Sequence, residues 1–299
     1  MRTIDFETIL AQSTQLSGLD RFNMTDQSFA QIRDFANWRI KTAWEYDAWP
    51  DLIRTTLFPV TTANSTDSFG NKTHIYYINL PTDGPGSITN SQGTFIVDVG
   101  TVMQVTIEDP RTTGRVHSCQ FSFDEYEQLL STGIYSTTRR LIVDYSDNND
   151  TPPTEMFVTY RLPCPELVGD LWINGTGYVP EQQVYYAYSN SSYFAPTTGS
   201  QYAGKKGNFW KCAYTTIVHP DISGNQNPSA GDEWSKVKIP AIFGQYIVKG
   251  IHADWLKSEM QLQYGQQIEQ EAGALLDLEV HKAIVQQGQQ PRLKINSIY

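Results

Sequence analysis

The sequence predicts an α+β fold: a helical bundle from the N- and C-terminal segments, and an antiparallel β domain carrying a small inserted β-module. Near both ends of the chain, apolar residues recur every three or four positions, the helical period. Through the middle they alternate with polar residues, the strand period, and clusters such as PTDGPGS, DPRTTG and YSDNNDTPP supply the Gly, Asp, Asn and Pro of tight turns.

Residues 3–17, TIDFETILAQSTQLS, place Phe6, Ile9, Leu10 and Leu16 at near-helical spacing, with Gly18 as a stop. A second helix starts at Thr25 or Asp26, either of which can cap it, and buries Phe29, Ile32, Ala36, Ile40, Ala43 and Trp44. It must end or kink at Trp49-Pro50, because proline has no N–H to donate and pushes the preceding residue out of the α region. Trp49 is expected to plug that helix end. Together these segments form an N-terminal helical region, residues 1–57.

Residues 58–170 form the expected β domain, with strands at 73–80, 94–110, 116–123, 139–146 and 154–162 and a short helix or turn at FDEYEQLLSTG, 123–133, ending at Gly133. Residues 171–239 are aromatic, laced with Gly and Ser and poor in aliphatics, as expected of a small β insert. From 240 to 290 the helical period returns: Leu256, Met260, Tyr264, Ile268, Ala272, Leu276, Val280 and Ile284 lie four apart. Such a stripe drifts about 40° per step on a 3.6-residue helix, so one long helix should wrap across several partners, the N-terminal helices first. The expected bundle-packing residues are Ile40, Trp44, Trp49, Leu256, Met260, Ile268 and Leu276. Beyond Pro291 the ending RLKINSIY, 291–299 with its proline, alternates short apolar and polar residues, as expected of an extended arm able to join another chain's sheet edge.

A net charge of −10 and a pI near 4.9 argue against a nucleic-acid-binding surface, whose affinity comes from Lys and Arg neutralising phosphates. Cys119, Cys164 and Cys212 stand isolated, so neither a disulfide framework nor a Cys-x-x-Cys metal site is encoded, and all three read as buried small apolar residues. MRTIDFETILAQ lacks the apolar core of a signal peptide, and no run approaches the roughly 18 apolar residues of a spanning helix. Synthesis and retention in a cytoplasm, without a membrane partner, are therefore expected.

Motifs for catalysis are missing: no Gly-x-Ser-x-Gly elbow, no His-Glu-x-x-His, no phosphate loop and no dinucleotide fingerprint. His74, His117, His219, His252 and His281 lie far apart, without a second His at ligand spacing. No catalytic residue, metal or cofactor is expected, and the acidic pairs Glu108-Asp109 and Asp124-Glu125 read as solvated surface beside turns. The aromatic insert loosely resembles small chitinase-type carbohydrate-binding modules, in which exposed rings stack on sugars; Tyr186, Trp210 and Trp234 would be the glycan-facing candidates. Against that, a module with few aliphatics must use its rings as its own core, since each buries about 150–250 Å².

The order of parts, NWRIKTAWEYDAWPDL, then VTIEDPR and MFVTYRLPCPEL, then the Tyr/Trp-rich insert, then the helical stretch of 234–290, resembles tailed-bacteriophage neck proteins. The nearest class is the head-to-tail connector or adaptor, akin to the tail tubular proteins of short-tailed phages. The resemblance implies a virion structural protein forming a homo-oligomeric ring, typically a dodecamer. Such a ring sits between the portal protein and a tail or nozzle protein and encloses part of the channel through which genomic DNA passes without sequence-specific binding. It also implies that the C-terminal arm, with Arg292, Leu293, Lys294, Ile295, Ile298 and Tyr299, docks on the portal. A negative lumen that repels DNA would let it slide. The alternative expectation is another virion tail or decoration protein whose insert binds carbohydrate.

Overall fold

The computed structural model describes residues 2–20, 24–66, 72–81, 86–112, 118–129, 135–144, 153–173, 176–179, 181–188, 206–212 and 234–286. It is an α+β protein in which every ladder between named strands is antiparallel. In chain order come β1 (Thr3–Ile4), α1 (Phe6–Leu16), α2 (Asp26–Tyr46), β2 (Ile53–Pro59), β3 (Thr61–Thr66), β4 (Lys72–Leu80), β5 (Gly86–Asn90) and β6 (Gly93–Val97). There follow β7 (Thr101–Thr106), β8 (Ser118–Leu129), β9 (Tyr135–Asp144), β10 (Glu155–Arg161), β11 (Gln183–Tyr188), β12 (Lys206–Cys212), β13 (Trp234–Lys236), β14 (Ile239–Pro240), α3 (Gly244–Ser258) and α4 (Leu262–Gln286). The chain divides into a helical unit, Met1–Trp49 with Cys164–Tyr299, and a sheet unit, Pro50–Pro163.

In the helical unit, the Thr25 side chain accepts the Ser28 N–H at 3.1 Å and caps α2. The face carrying Phe29, Ile32, Ala36, Ile40, Ala43 and Trp44 is buried, as its spacing predicts. Inside that face also lies Arg39. Its Nε donates to Asp254 at 2.8 Å, and one Nη donates to Asp254 at 2.5 Å and to Glu269 at 3.1 Å, tying α2 to α3 and α4. Burial opposes this charge, but hydrogen bonds with Asp254 and Tyr246 outweigh it and push the guanidinium pKa further up. Lys257 donates to the same Glu269.

The helix α2 stops at Tyr46, before Trp49-Pro50. Trp49 is 1% exposed and its indole N–H donates to the Ala43 carbonyl at 2.7 Å. That carbonyl is one of the last four in the helix, which have no partner within it. The ring packs edge-on against Phe243, 5.1 Å between centroids, so Trp49 closes the helix end by both hydrogen bonding and packing.

The expected insert is fused to the helices. Its three strands run in the order β11-β12-β13, and the period of two gives the sheet two working faces. On one, Tyr185 and Phe209 meet Phe6 of α1 and Phe29 of α2 in a set of tilted and edge-on rings. On the other, Val184, Trp210, Cys212 and Trp234 pack with Trp172 and Tyr178. β1 pairs with β14, and Lys236 reaches Asp5 at 2.9 Å.

The main sheet of the sheet unit has, among the described residues, seven strands in the order β2-β10-β7-β8-β9-β4-β3. Its two edge strands, β2 and β3, are separated in the chain by Val60 alone, so the sheet has to roll until those edges meet at one corner. Val60 N–H donates to Thr154 at 2.9 Å there. Strict alternation along β10 sends Met156, Val158 and Tyr160 inward, to a core with Phe58, Ile78, Val105 and Leu141. The β5–β6 hairpin adds Ile88 and Val97 to that core; Asn90 Nδ2 donates to Leu57 at 2.6 Å and Ser91 donates to Glu155 through both N–H and hydroxyl.

Four expectations are corrected. The stretch 94–110 is not one strand: Gly100 divides β6 from β7, and its backbone runs so close to Arg161 that a Cβ there would lie 2.7 Å from the Arg161 carbonyl. The short helix or turn expected at 123–133 is strand through Leu129, with 130–133 outside the described residues, because residues 120–129 pair continuously with β9, and a ladder overrides the helix preference of Glu, Gln and Leu. The sheet begins at Ile53 rather than 58, and residues 164–170 belong to the helical unit.

The fourth correction concerns the single long C-terminal helix, which is two. Gln261 N–H donates to the Leu256 carbonyl at 2.9 Å and Met260 N–H to Lys257 at 3.1 Å, around Met260 at φ 62°. This is a Schellman closure with methionine in the left-handed position that usually holds glycine. Met260 is therefore 89% exposed in the turn rather than packed in the bundle. Left-handed backbone costs an L-residue about 1–2 kcal/mol, so Met260→Gly should raise the unfolding free energy by about 0.5–1 kcal/mol, glycine's own entropy offsetting part of the gain. Urea titration checks the sign.

The Arg39 network predicts a pH dependence. Lys257, and then Arg39, hold the Glu269 carboxyl below its ordinary value of 4.5, against burial. The unfolded chain therefore binds this proton more readily, so the stabilisation is complete above about pH 4.5 and declines as pH falls through the lowered folded value. Melting temperatures measured from pH 6 to 3 should fall less steeply in Glu269→Gln than in the parent.

Candidate functional site

Along α2 the residues facing away from the buried stripe are mostly polar, and Trp38 interrupts them with a ring that is 70% exposed. Lys41 and Glu45 follow at helical spacing on the same side, and both are exposed. The residues just after Pro163 run alongside. Asn37 fixes them there as a backbone would: its Nδ2 donates to the Leu167 carbonyl at 3.0 Å and its Oδ1 accepts the Leu167 N–H at 2.7 Å. Leu167 is fully buried and anchors the segment. Gly169, at φ 107°, lets it turn away; a Cβ there would lie 2.2 Å from the Gln183 carbonyl oxygen.

Between helix and segment lies an open groove of about 550 Å³. Trp38, Pro165 and Cys164 supply apolar surface, and Lys41, Glu45 and Glu166 line it with charge. Among the described residues none of these three charged groups forms an ion pair. Cys164 is the exposed cysteine, against the expectation that all three are buried; Cys119 is half-buried and Cys212 buried. Packed protein around its sulfur pushes the Cys164 thiol up to about 12, with Glu45 and Glu166 adding to the shift and Lys41 opposing it. Exposure without thiolate makes it a poor nucleophile.

The sequence-predicted residues fall in several places. Ile40, Trp44 and Trp49 lie buried at α2 and its end, Leu256 on α3 and Leu276 on α4, while Ile268 is half-buried. Trp210 and Trp234 are buried and Tyr186 is half-buried against Trp172. The glycan-facing assignment of these rings is thereby corrected: sugar stacking needs an open ring face, and these rings form the core of the insert. The indole N–H groups of Trp172, Trp210 and Trp234 are buried without an acceptor, a cost of about 1–3 kcal/mol each that ring packing has to exceed. The arm residues Arg292, Leu293, Lys294, Ile295, Ile298 and Tyr299 lie outside the described residues.

The helical stripe hid the groove. Trp38 sits off the series Ile32, Ala36, Ile40 and Ala43, and a large aromatic on the polar side of an amphipathic helix was the available signal. Among the described residues no group of three or more His, Cys, Asp or Glu could hold a metal ion, and no helix is long and apolar enough to cross a membrane. The chain matches no protein-family model, and no curated protein is significantly similar to it.

The shifted thiol gives a direct test. At pH 8 its thiolate fraction is roughly a thousandth of that of an ordinary thiol, so iodoacetamide should label Cys164 at least tenfold more slowly in the folded protein than in urea. Peptide mapping by mass spectrometry reads the two rates.

Proposed function

We propose that the protein is a virion structural protein, a head-to-tail adaptor whose copies form a ring between portal and tail and line part of the DNA channel. The observation that carries this reading is the outward face of α4. Among the described side chains of this helix only Gly265, Ala272 and Leu276 are buried, while Leu262, Tyr264, Leu278 and Val285 stand exposed. The pairing of Lys249 with Glu271 fixes the register of α3 against α4. By that register α4 continues past the start of α3 at Gly244. Tyr46, the last residue of α2, meets it at Asp277. Residues 278–286 thus extend beyond both helices.

A helix of 25 residues measures about 37 Å and one of 15 about 22 Å. The excess carries apolar surface that a neighbouring copy can cover, as lateral contacts in a ring require. The resemblance of both helical ends to phage neck proteins supports the same reading, and the net charge of −10 suits a channel that DNA must slide through. The reading of a carbohydrate-binding decoration protein is weakened by the burial of Trp210 and Trp234.

Negative-stain electron microscopy of concentrated protein, with and without particles containing its own portal, tests the proposal. Rings, or added density beneath the portal, are expected; monomers that ignore portal particles would refute it. Leu278→Asp with Val285→Asp should change the unfolding free energy by no more than about 0.5 kcal/mol per site, as exposed positions do. Light scattering should nonetheless show the assembly lost.

A further inference from the structure

The groove beside α2 has the features of a receptor for an extended segment. Its walls differ: a helix bearing Trp38, Lys41 and Glu45, and the run Cys164–Glu166 clamped through Asn37 and Leu167. Its carboxylates outnumber its cation, Glu45 and Glu166 against Lys41, and no ion pair neutralises them among the described residues. A matching occupant would be extended, apolar on one side and cationic on the other.

Residues 292–295, Arg-Leu-Lys-Ile, have this pattern. In an extended chain Leu293 and Ile295 point to one side, and Arg292 and Lys294 to the other. The lengths agree as well. From Trp38 to Glu45 the helix rises about 10 Å, and Arg292 to Ile295 spans about 10 Å when extended. Leu293 and Ile295 can lie on Trp38 and Pro165 while Arg292 and Lys294 approach the two free carboxylates.

We propose that the groove of one copy holds residues 292–295 of a second copy, so that the arm locks neighbouring subunits rather than reaching first for the portal. The inference rests on the ring reading for the presence of a neighbour. α4 carries the chain past the end of α2, away from the groove of its own copy, before residues 287–299 begin. Residues 287–291 span at most about 20 Å between the end of α4 and the docked segment, so the receiving groove has to belong to an adjacent copy whose helices cover the exposed face of α4.

Two full-length variants, Lys41→Cys and Leu293→Cys, each also carrying Cys164→Ser to remove the exposed thiol of the groove, are mixed and oxidised with copper phenanthroline, then resolved on a non-reducing gel. A disulfide between the two variants can form only between copies. The expected result is a covalent dimer in the mixture, at least tenfold above either variant alone and above a collision control with Glu259→Cys, an exposed residue at the α3–α4 turn, in place of Lys41→Cys. Adding Glu45→Lys and Glu166→Lys, both at exposed positions, to the Lys41→Cys chain should reduce that dimer at least tenfold while leaving its circular-dichroism melt unchanged.

No dimer above the collision control would overturn the inference, as would a Lys41→Cys/Leu293→Cys chain that closes only on itself. Crosslinking that appears only between Leu293→Cys and the portal would overturn it too. Rings in the microscope without the crosslink would leave the adaptor reading standing and remove this one. A crosslink in protein that forms no ring would keep the groove assignment and remove the ring.

Discussion

Arg39 carries a charge that it cannot lose, inside a helix face that is otherwise apolar, and the arrangement of the helical unit follows from satisfying it. A guanidinium offers five donors in a planar fork, and a buried cation without partners would cost several kcal/mol. Asp254 answers with both oxygens from α3 and Glu269 adds a third acceptor from α4. Three helices are thereby held in one register. Gly250 belongs to the same constraint: a Cβ there would lie 2.7 Å from the Arg39 side chain, so α3 has to be bare where the guanidinium crosses it. Replacing the whole set by apolar residues could be as stable, but the ionic version admits few alternative packings.

Proline marks both crossings of the chain between the two units. It leaves the helical unit at Trp49-Pro50 and returns at Pro163-Cys164. At the first, Trp49 seals α2 against Phe243, so the chain departs from a closed helix end. At the second, it returns as the segment that Asn37 draws along α2. The same return that ends the rolled sheet therefore forms one wall of the groove, and the groove exists because an extended backbone, not a helix, lies beside the polar face of α2.

The sequence made some of this legible and hid the rest for identifiable reasons. The buried stripe of α2, its Thr25 cap and the stop before Pro50 depend on neighbours within a few residues, and all were readable. So was β10, whose alternation is strict. Structure and sequence pattern part where distant partners decide. Residues 123–129 carry helix formers and are strand because β9 lies alongside. β3 is rich in Thr and without large aliphatics, and β2 buries the adjacent Leu57 and Phe58 instead of alternating, so the period of two is faint in both. The aromatics of the insert read correctly as a sheet, but that Tyr185 and Phe209 face Phe6 and Phe29 depends on contacts spanning most of the chain. At the groove, Trp38 was visible as a residue out of pattern, whereas its opposite wall comes from positions 164–166 and could not be seen.

Two helix ends show how much a single residue type governs legibility. α1 closes with Leu19 N–H donating to Thr14 at 2.9 Å and Gly18 N–H to Gln15 at 3.3 Å, around Gly18 at φ 67°. α3 closes with the same pair of bonds around Met260. The geometry is one and the same, yet glycine announces the first stop and methionine conceals the second, inside a stripe of apolar residues four apart that reads as an unbroken helix. What holds Met260 in its unfavourable backbone is the return of α4. Only with the turn made can Lys257 reach Glu269, and only then does Gly265 come so near the Ala253 carbonyl that a Cβ there would sit 3.0 Å from it. The strain at one residue is offset by an ion pair, a close helix contact and the Arg39–Glu269 bond, none of which can form if α3 runs on.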